Sequence, residues 1–590
     1  MTAPDDRLAL ASDEDSATAA DWERATAAVL RKSRRLREED PDDRVWTTLT
    51  RTTLDGIPVA PIGTPASLEG LTTAGRPSRA GAWDVRTPLS GGDASALNEA
   101  ALVDLENGGT SLLLDVDEGV DLAAVLRGVL LDLAPVALDR PSAAQAAALA
   151  DVLEAYDGPV AAGANLSFDP QSLDLFSAAD TEEGEEPAEQ LVALARRAWQ
   201  LGVLGLVVDG TALHDRGASD AQELGWTMAV GIDYLRVLTA GGMSVEEAAK
   251  VIEFRYAATD EQFPTIAKLR AARRLWARVL EASGSGAVAM RQHAVTSRPM
   301  MTTFDPWVNM LRTTVAAFAA GAGGADAVTV VPFDEPLGRP DAFGRRIARN
   351  TSSLLIEESH LAVVADPAGG SYAVERLTDD LAVAGWAELG RIEEAGGASS
   401  LAARQGVVDR VSATAAERDA QVADRSRPIT GLSEFPNLAE TLPQREPAEG
   451  RRVRRYGWAF EALRAEPAAS PVFLATMGPI AAHTARATFA TNLLAAGGVA
   501  VEVAGPTDGV ESVLAAYRGQ PVVCLAGTDP AYAEWGADLV AALRGAGASY
   551  VVLAGKPGEK INITEDTVDD SAAMGVDALA FLTRIREALA

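Results

Sequence analysis

The sequence predicts an α/β protein in which a (β/α)₈ barrel is followed by a smaller, doubly wound domain of the flavodoxin-like type. Three observations lead to this prediction. The chain has 590 residues, more than the ~250–300 at which a single hydrophobic core stops growing. From about residue 80 to 380 short apolar runs alternate with helical stretches, and a second alternation begins near residue 470. These runs are nearly continuous, which is typical of parallel strands buried on both faces.

Residues 1–79 are predicted to be an N-terminal arm and a lead-in to the barrel. Four apolar residues of a helical stretch at 20–40 fall roughly on one face, next to a basic cluster at 31–37: Trp22, Ala25, Val29 and Leu36. The sequence leaves open whether this stripe docks on a partner or on the protein's own barrel. The acidic N-terminus MTAPDDRLALASDEDS has no apolar core, so we expect no signal peptide.

Residues 80–394 are predicted to form the barrel. Its candidate strands are 111–116, 135–139, 159–166, 204–210, 287–295, 327–333 and 361–366. Seven or eight βα units without a separate cluster of strands favour a closed barrel over an open sheet. Four aspartates stand at or next to strand ends, where a barrel has its functional mouth: Asp115, Asp139, Asp209 and Asp366. For most of them we expect N-capping of the next helix.

Residues 395–465 are predicted to be a connector and residues 466–590 a flavodoxin-like domain. The connector is rich in Ala, Arg, Pro and Glu. The second domain has five candidate strands: 471–476, 499–504, 521–527, 549–555 and 578–582. A doubly wound sheet binds ligands outside the carboxyl ends of its strands. The segment MGPIAAHTAR, residues 477–486, is expected at that edge.

Composition excludes several classes of function. The chain has 52 Lys and Arg against 84 Asp and Glu, a net charge of −32, and such a surface repels nucleic acids and anionic membranes. We find no apolar run of ~18 residues that could span a bilayer. The single cysteine, Cys524, excludes a disulfide framework and fits a reducing cytoplasm. No two of the four histidines have metal-ligand spacing, so we expect no protein-only metal site: His214, His293, His360 and His483.

His483 is the most specific candidate for a cofactor ligand. An imidazole at the carboxyl end of the first strand of a doubly wound sheet could ligate a planar metallocofactor from below. Such a histidine usually needs a carboxylate to orient its other ring nitrogen. None is near in sequence, so a partly exposed loop or capping histidine is the favoured interpretation; the neighbours are Pro479, Ile480, Ala481, Ala482 and Thr484.

Beyond these patterns, four stretches resemble the coenzyme-B12-dependent acyl-CoA mutases. They are RTTVAAFAAGAGGADAVTVVPFDEP (312–336), RIARNTSSLLIEES (346–359), VADPAGGSYAVE (364–375) and RPITGLSEFPNLAE (427–440). The resemblance covers nearly all of residues 80–590. Within the family it is strongest to the small (beta) subunit of methylmalonyl-CoA mutase, which pairs with a homologous, catalytic large (alpha) subunit.

The resemblance implies that the cobalamin ligand is lost. Catalytic chains carry Asp-x-His-x-x-Gly, whose histidine is the lower ligand of cobalt. In the matching slot, Ile480 replaces the orienting aspartate and Ala482 stands in the ligand position. His483 comes one residue late, and one residue at a helix start turns a side chain by ~100°. A later Ser-x-Leu element near the cobalamin tail is replaced around Cys524.

The resemblance also implies losses in the barrel. Catalytic chains have Gly-Tyr-His-x-Gln-Glu-x-Gly-Ala after a middle strand, where this chain reads GTALHDRGA, and His214 falls two places after the histidine slot. Arg86 of WDVRTP matches an arginine of the family. Four positions that are polar in the catalytic chains differ here: Thr211 stands in place of tyrosine, Ala212 in place of histidine, Pro88 in place of a second tyrosine and Phe304 in place of glutamine.

The resemblance therefore predicts a non-catalytic small subunit with no catalytic, cofactor-binding or metal-binding residue of its own. The heterodimer would interconvert (R)-methylmalonyl-CoA and succinyl-CoA, with adenosylcobalamin on the large subunit. Two alternatives stay open: an active mutase with an altered cobalamin mode, and a corrinoid or acyl-CoA binding module. An aldolase-type barrel is disfavoured because lysines such as Lys250 and Lys268 lie in helical patterns.

Overall fold

The computed structural model describes residues 17–71, 75–175, 185–286, 288–448 and 451–590. A short antiparallel ladder, β1 (Arg51–Thr52) with β2 (Pro58–Val59), precedes the barrel. Eight parallel strands of the described residues then close into the barrel, β10 pairing with both β9 and β3. They are β3 (Asp84–Gly91), β4 (Ser111–Val116), β5 (Val136–Leu138), β6 (Asn165–Phe168), β7 (Leu204–Asp209), β8 (Ile252–Ala258), β9 (Arg291–Thr296) and β10 (Ala327–Thr329).

The closed barrel confirms the predicted fold, with differences in three strands. The predicted strand at 361–366 is wrong, because Leu361–Val363 is a short 3-10 helix. Strands β3 and β8 are absent from the predicted set. Their sequences, DVRTPLSG and IEFRYAA, alternate polar with apolar residues instead of forming apolar runs. In a barrel the alternate residues of a strand face the interior, so charges at these positions point into the barrel axis.

The described residues form 21 α-helices. Around the barrel and before it these are α1 (Ala19–Lys32), α2 (Arg44–Leu49), α3 (Ala94–Glu106), α4 (Leu122–Val125), α5 (Ala143–Glu154), α6 (Pro170–Asp174), α7 (Glu185–Leu201), α8 (Thr211–His214), α9 (Asp220–Ala240), α10 (Val245–Lys250), α11 (Gln262–Ala282), α12 (Val308–Ala322), α13 (Ala342–Ser353) and α14 (Tyr372–Glu394). The remainder are α15 (Leu401–Ala423), α16 (Trp458–Ala465), α17 (Ile480–Ala496), α18 (Val510–Ala516), α19 (Asp529–Ala531), α20 (Ala537–Gly545) and α21 (Ala578–Leu589). Two π-helical turns interrupt them, at Leu354–Glu358 and Tyr532–Gly536.

The N-terminal segment forms a helical hairpin with its own small core. Helix α1 ends at Lys32, earlier than the predicted residue 40, and α2 folds back on it. The rings of Trp22 and Trp46 lie 4.5 Å apart. Val29, predicted on the apolar face, is 65% exposed, whereas Leu30 is buried. The cluster joins residues of this segment alone among the described residues: Trp22, Ala27, Leu30, Leu36, Val45, Trp46 and Leu49.

The second sheet confirms a flavodoxin-like domain. Its five parallel strands within the described residues have the order β12-β11-β13-β14-β15, which is the 2-1-3-4-5 order of that fold: β11 (Val472–Thr476), β12 (Val501–Val503), β13 (Val522–Ala526), β14 (Tyr550–Ala554) and β15 (Asp570–Ala572). The predicted strand at 578–582 is wrong and lies in α21. Ala578, Phe581, Leu582 and Ile585 are buried at helical spacing, so the apolar cluster is the inner face of a helix.

Candidate functional site

Charged side chains fill the axis of the barrel. Arg86 of β3 donates from Nη1 to Oε1 of Glu253 on β8 at 3.0 Å, and neither side chain is exposed to solvent. Burial alone would raise the pKa of Glu253, but Arg86, Arg291 and Arg255 lower it below its usual value. The carboxylate is therefore ionised and is held inside the barrel by arginines, with Nε of Arg291 3.5 Å from its Oε2.

A second arginine lies nearer the carboxyl ends of the strands. Arg255 of β8 places Nη1 2.7 Å from Oδ1 of Asp139 and 3.1 Å from Oδ2 of Asp209. Its Nε donates to Nδ1 of His293 at 3.2 Å, so the proton of that ring is on Nε2, 2.8 Å from Oγ1 of Thr329. Burial and the neighbouring arginines hold the pKa of His293 well below its usual range. His293 is a neutral, fully bonded part of the core.

The strand-end aspartates make ion pairs. Asp115 pairs with Arg140 at 3.3 Å, and Asp366 pairs with Arg270. Helix α5, which follows Asp139, begins instead at the N-cap residue Ser142. The expectation that most of the four aspartates cap helices is wrong. Among them Asp209 does accept a bond from the first main-chain N–H of α8, at 2.9 Å, in addition to its bond with Arg255.

The connector covers the mouth of the barrel. Arg451 places Nη2 2.5 Å from Oδ2 of Asp139 and Nη1 3.5 Å from Oδ2 of Asp215. Farther along, the main-chain N–H of Tyr456 donates to the carbonyl of Pro299 at 2.8 Å. Burial raises the pKa of Asp215 to about 6, against the nearby cations Arg298 and Arg451. The stretch predicted as a plain linker therefore supplies a charged lid to the barrel.

A cavity of 670 Å³ remains beside this lid. Leu89, Leu113 and Val331 form an apolar wall, and Pro88 lines it as well. Part of the charged lining is paired within itself, as in the contact of Arg298 Nε with Oε1 of Glu335 at 3.2 Å. The volume is in the range of small-molecule sites. No imidazole lines the cavity among the described residues.

The other predicted positions do not assemble into a site. Thr211 is buried and donates from Oγ1 to Oδ1 of Asp209 at 2.5 Å. Phe304 packs against the core of the second domain, and the guanidinium of Arg464 lies 4.2 Å above its ring. Pro88, by contrast, lines the barrel cavity. The residues that stand at the positions of the catalytic motifs therefore lie in separate parts of the structure.

His214 lies under the connector. Its Nε2 is 2.7 Å from Oγ of Ser297 and 3.4 Å from the hydroxyl of Tyr456, and the residue is 3% exposed. Burial, together with Lys268 and Arg418, holds the pKa of His214 well below its usual range. A neutral imidazole enclosed in this way has no access to the cavity.

At the carboxyl edge of the second sheet, His483 lies in the first turn of α17. Gly478 turns the chain there with φ of +87°, and the ring of His483 donates from Nδ1 to the Gly478 carbonyl at 3.1 Å. His483 is 7% exposed. The prediction of a partly exposed loop or capping histidine is wrong, because the residue is buried inside α17 and makes no cap bond. Its orienting partner is a main-chain carbonyl, which sequence spacing does not reveal.

Tyr532 closes the crevice beside this turn. Its hydroxyl accepts the N–H of Gly527 at 3.0 Å and lies 3.1 and 2.9 Å from the carbonyls of Leu525 and Ala554, at the ends of β13 and β14. Arg486 lies 4.8 Å above the Tyr532 ring and donates to the Gly527 carbonyl at 2.7 Å. Behind the strands an apolar cavity of 10 Å³ is left, about the space of one water.

Sequence comparison with known proteins identifies the family of the chain. The family model described as methylmalonyl-CoA mutase matches residues 202–472. A methylmalonyl-CoA mutase small subunit of Streptomyces virginiae is 46% identical, over 98% of each chain. A probable methylmalonyl-CoA mutase small subunit of Mycobacterium bovis is 43% identical, over 90% of this chain and 92% of the relative. The small subunit of Propionibacterium freudenreichii subsp. shermanii is 35% identical, over 98% and 95%.

The chain belongs to the methylmalonyl-CoA mutase small-subunit family. Mutases of this family use cobalamin, and the crevice at the carboxyl edge of the second sheet does not fit it. Ligation by His483 would require its buried side chain to become exposed. A nucleotide tail would have to displace Tyr532 and Arg486, whose polar atoms are bonded to the ends of the strands. The described part of the chain also contains no helix long and apolar enough to cross a membrane.

Sequence reasoning missed the residues that occupy this small subunit's barrel. Glu253 and Arg255 stand two apart in IEFRYAA, and their inward register was the available signal. Arg451 gave no signal, because a basic residue in a Pro- and Glu-rich stretch is typical of a solvated linker. Its role depends on the path of the connector over the barrel, which is a tertiary property.

Proposed function

We propose that this chain is the non-catalytic small subunit of a heterodimeric methylmalonyl-CoA mutase. The complex interconverts (R)-methylmalonyl-CoA and succinyl-CoA in the cytoplasm, with adenosylcobalamin on the large subunit. This chain pairs with that subunit and stabilises it. On its own it has no catalytic, cofactor-binding or metal-binding residue.

The charged axis of the barrel carries this proposal. Radical chemistry needs an enclosed site that holds cofactor and substrate against each other. Here Arg86, Glu253 and Arg255 are bonded to one another or to strand-end carboxylates along the axis, and Arg451 closes the mouth. The arginines are thereby paired with carboxylates of the barrel itself. The relatives named as small subunits support the same assignment.

Co-expression tests the proposal. The large subunit is produced with and without this chain, and mutase activity and cobalamin content are measured per chain. We expect activity and about one cobalamin per heterodimer, with none retained by the purified small subunit. Turnover of acyl-CoA by the small subunit alone would overturn the proposal.

One observation favours the alternative of cobalamin binding on this chain. The bond from His483 Nδ1 to a main-chain carbonyl is a known way of orienting a metal-ligating imidazole, because it leaves Nε2 to bind the metal. A visible absorption titration of the isolated chain with adenosylcobalamin distinguishes the two functions. A saturable change in the cobalt absorption bands, lost in His483→Ala, would support the alternative.

We also propose that the hairpin formed by α1 and α2 is an arm that reaches the large subunit. All hydrogen bonds and ion pairs found for 18–50 within the described chain stay inside that segment, as for Trp46 Nε1 with Glu23 at 2.7 Å. A unit with its own core and few ties to the barrel is suited to contact another chain. The proposed organisation is thus an arm at 1–79, a barrel at 80–394, a connector at 395–465 and a flavodoxin-like domain at 466–590.

A further inference from the structure

Two neighbouring helices on the outside of the barrel expose an apolar face. On α12 and the residue before it, Trp307 is 48% and Leu311 67% exposed. On α13 and the π-helical turn after it, Phe343 is 41% and Leu354 51% exposed. The helices pack side by side, and the rings of Trp307 and Phe343 both contact the buried Phe333, with centroids 5.1 and 6.0 Å away. We refer to this surface as the α12–α13 face.

The same spacing recurs on both helices. Trp307, Leu311 and Phe318 stand at i, i+4 and i+11, and so do Phe343, Ile347 and Leu354. At 100° per residue these positions lie within ~40° of one another, so each helix presents one stripe. From residue 343 to residue 354 the stripe is ~16 Å long. Phe318 and Ile347 are half-buried, and their neighbours along the stripes are exposed.

The face continues into the segment after α13. The π-helical turn Leu354–Glu358 packs against the 3-10 helix Leu361–Val363. There Val363 is 78% and Val364 55% exposed. Six such side chains expose apolar area on the order of 500 Å², at the upper end for a monomer. A stable interface buries ~800 Å² per partner, roughly 60% of it apolar, so the face supplies about what the apolar core of one interface needs.

The two ends of the α12–α13 face carry opposite charges. Arg346 is exposed near the N-terminal end of α13, with its guanidinium 5.3 Å above the ring of Phe343. Glu357 and Glu358 are exposed at the opposite end, in the π-helical turn. A matching partner is an apolar surface with acidic residues opposite Arg346 and basic residues opposite the glutamates. A second copy is a poor match, because two chains with net charge −32 repel each other.

We infer that the α12–α13 face is the surface on which the large subunit of the mutase docks. The inference rests on the proposed function, since it needs a large subunit as partner.

The test compares exposed leucines on the face with exposed apolar residues elsewhere. Leu311→Glu and Leu354→Glu are combined in one variant of the full chain. Leu401→Glu and Val383→Glu, 76% and 62% exposed on α15 and α14, are the matched controls. Dissociation of the heterodimer is measured by sedimentation, and amide hydrogen exchange is followed at 307–318 and 343–358 with and without the large subunit. All four positions are exposed, so we expect unchanged thermal unfolding.

We expect the double variant to raise the Kd at least ~10-fold, the controls to change it less than about threefold, and both segments to gain protection in the wild-type complex. A wild-type chain that does not pair would overturn the proposed function and this inference with it. A wild type that pairs, with a double variant that pairs as tightly as the controls, would overturn the inference alone. Loss of a self-association, with the heterodimer unaffected, would assign the face to a second copy and also overturn it.

Discussion

Nη2 of Arg451 lies 2.5 Å from Oδ2 of Asp139, so the connector between the two domains is ion-paired to the carboxyl end of a barrel strand. The other oxygen of Asp139 is bonded to Arg255 in the barrel axis. Burial alone would raise the pKa of Asp139, but Arg451 and Arg255 lower it below its usual range. Ion pairs through Asp139 therefore link the connector, the carboxyl end of a barrel strand and the barrel axis.

Replacing Arg451 should destabilise the barrel. Arg451→Met leaves one oxygen of the buried Asp139 without its partner, and removing one member of a buried pair costs ~3 kcal/mol. We expect a lower urea midpoint for the barrel transition and faster proteolysis of the connector. Arg452→Met, at the exposed neighbouring position, is the control and should change neither. Adding Asp139→Asn to Arg451→Met should recover part of the loss, and no recovery would argue against direct coupling.

Stability should depend on pH through Asp55, in the turn between β1 and β2. Its Oδ2 accepts the N–H of Ala221 at the start of α9, at 3.3 Å. Burial, and then the charge of Asp220, raise the pKa of Asp55 from 3.8 to about 6. The folded state therefore binds the proton more tightly, and the stabilisation present below pH ~4 is lost as pH rises through 6.

Asp55→Asn should accordingly stabilise the protein more at pH 8 than at pH 4. The measurement is the difference in unfolding midpoint between variant and wild type at the two pH values. Asp157→Asn, at an exposed position, is the control and should show the same difference at both. An equal effect of Asp55→Asn at both pH values would contradict the role of this carboxyl.

The second domain should lose stability when the Tyr532 hydroxyl is removed. Tyr532→Phe leaves the N–H of Gly527 and the strand-end carbonyl of Ala554 without this partner, which costs ~1–3 kcal/mol for buried groups. We expect faster amide exchange at the ends of β13 and β14. Tyr372→Phe, in the barrel helix α14 and 40% exposed, is the control. Unchanged exchange in Tyr532→Phe would show that the hydroxyl does not hold this edge.

Sequence gave the architecture because parallel strands buried on both faces leave apolar runs that can be read directly. It failed where side chains face inward but carry charge, as in Glu253 of β8, since burial of a charge depends on a partner far away in the chain. It also failed at 578–582, where five apolar residues fit a strand and helical spacing appears only over a longer window. The sequence also could not show how the crevice beside His483 is closed. That closure depends on contacts such as that of Tyr532 with β14, which no local pattern contains.

Deleting the N-terminal hairpin should weaken pairing with the large subunit and leave the folding of the barrel unchanged. A deletion of residues 1–45 would cut through its core, because Trp46 packs on Trp22; removing 1–49 takes out the cluster as a whole. We expect the barrel to unfold at the same midpoint, since the cluster is separate from the barrel core, and the heterodimer to dissociate more readily. Sedimentation of the complex measures the second effect. Unchanged affinity would refute the arm.

His483 supplies the sharpest test of where the cofactor lies. We expect His483→Ala to leave the cobalamin content and activity of the heterodimer unchanged, because the ring is 7% exposed and its Nδ1 is bonded to the Gly478 carbonyl. The cost to this chain should be about 1 kcal/mol, the loss of one hydrogen bond. The matched control is the histidine of Asp-x-His-x-x-Gly on the large subunit, whose replacement by alanine should abolish cobalt ligation. Cobalamin content and the absorption spectrum are measured for both complexes. If the two alanine variants lost cobalamin to the same extent, the cofactor would be shared with this chain, and the assignment of an empty small subunit would be wrong.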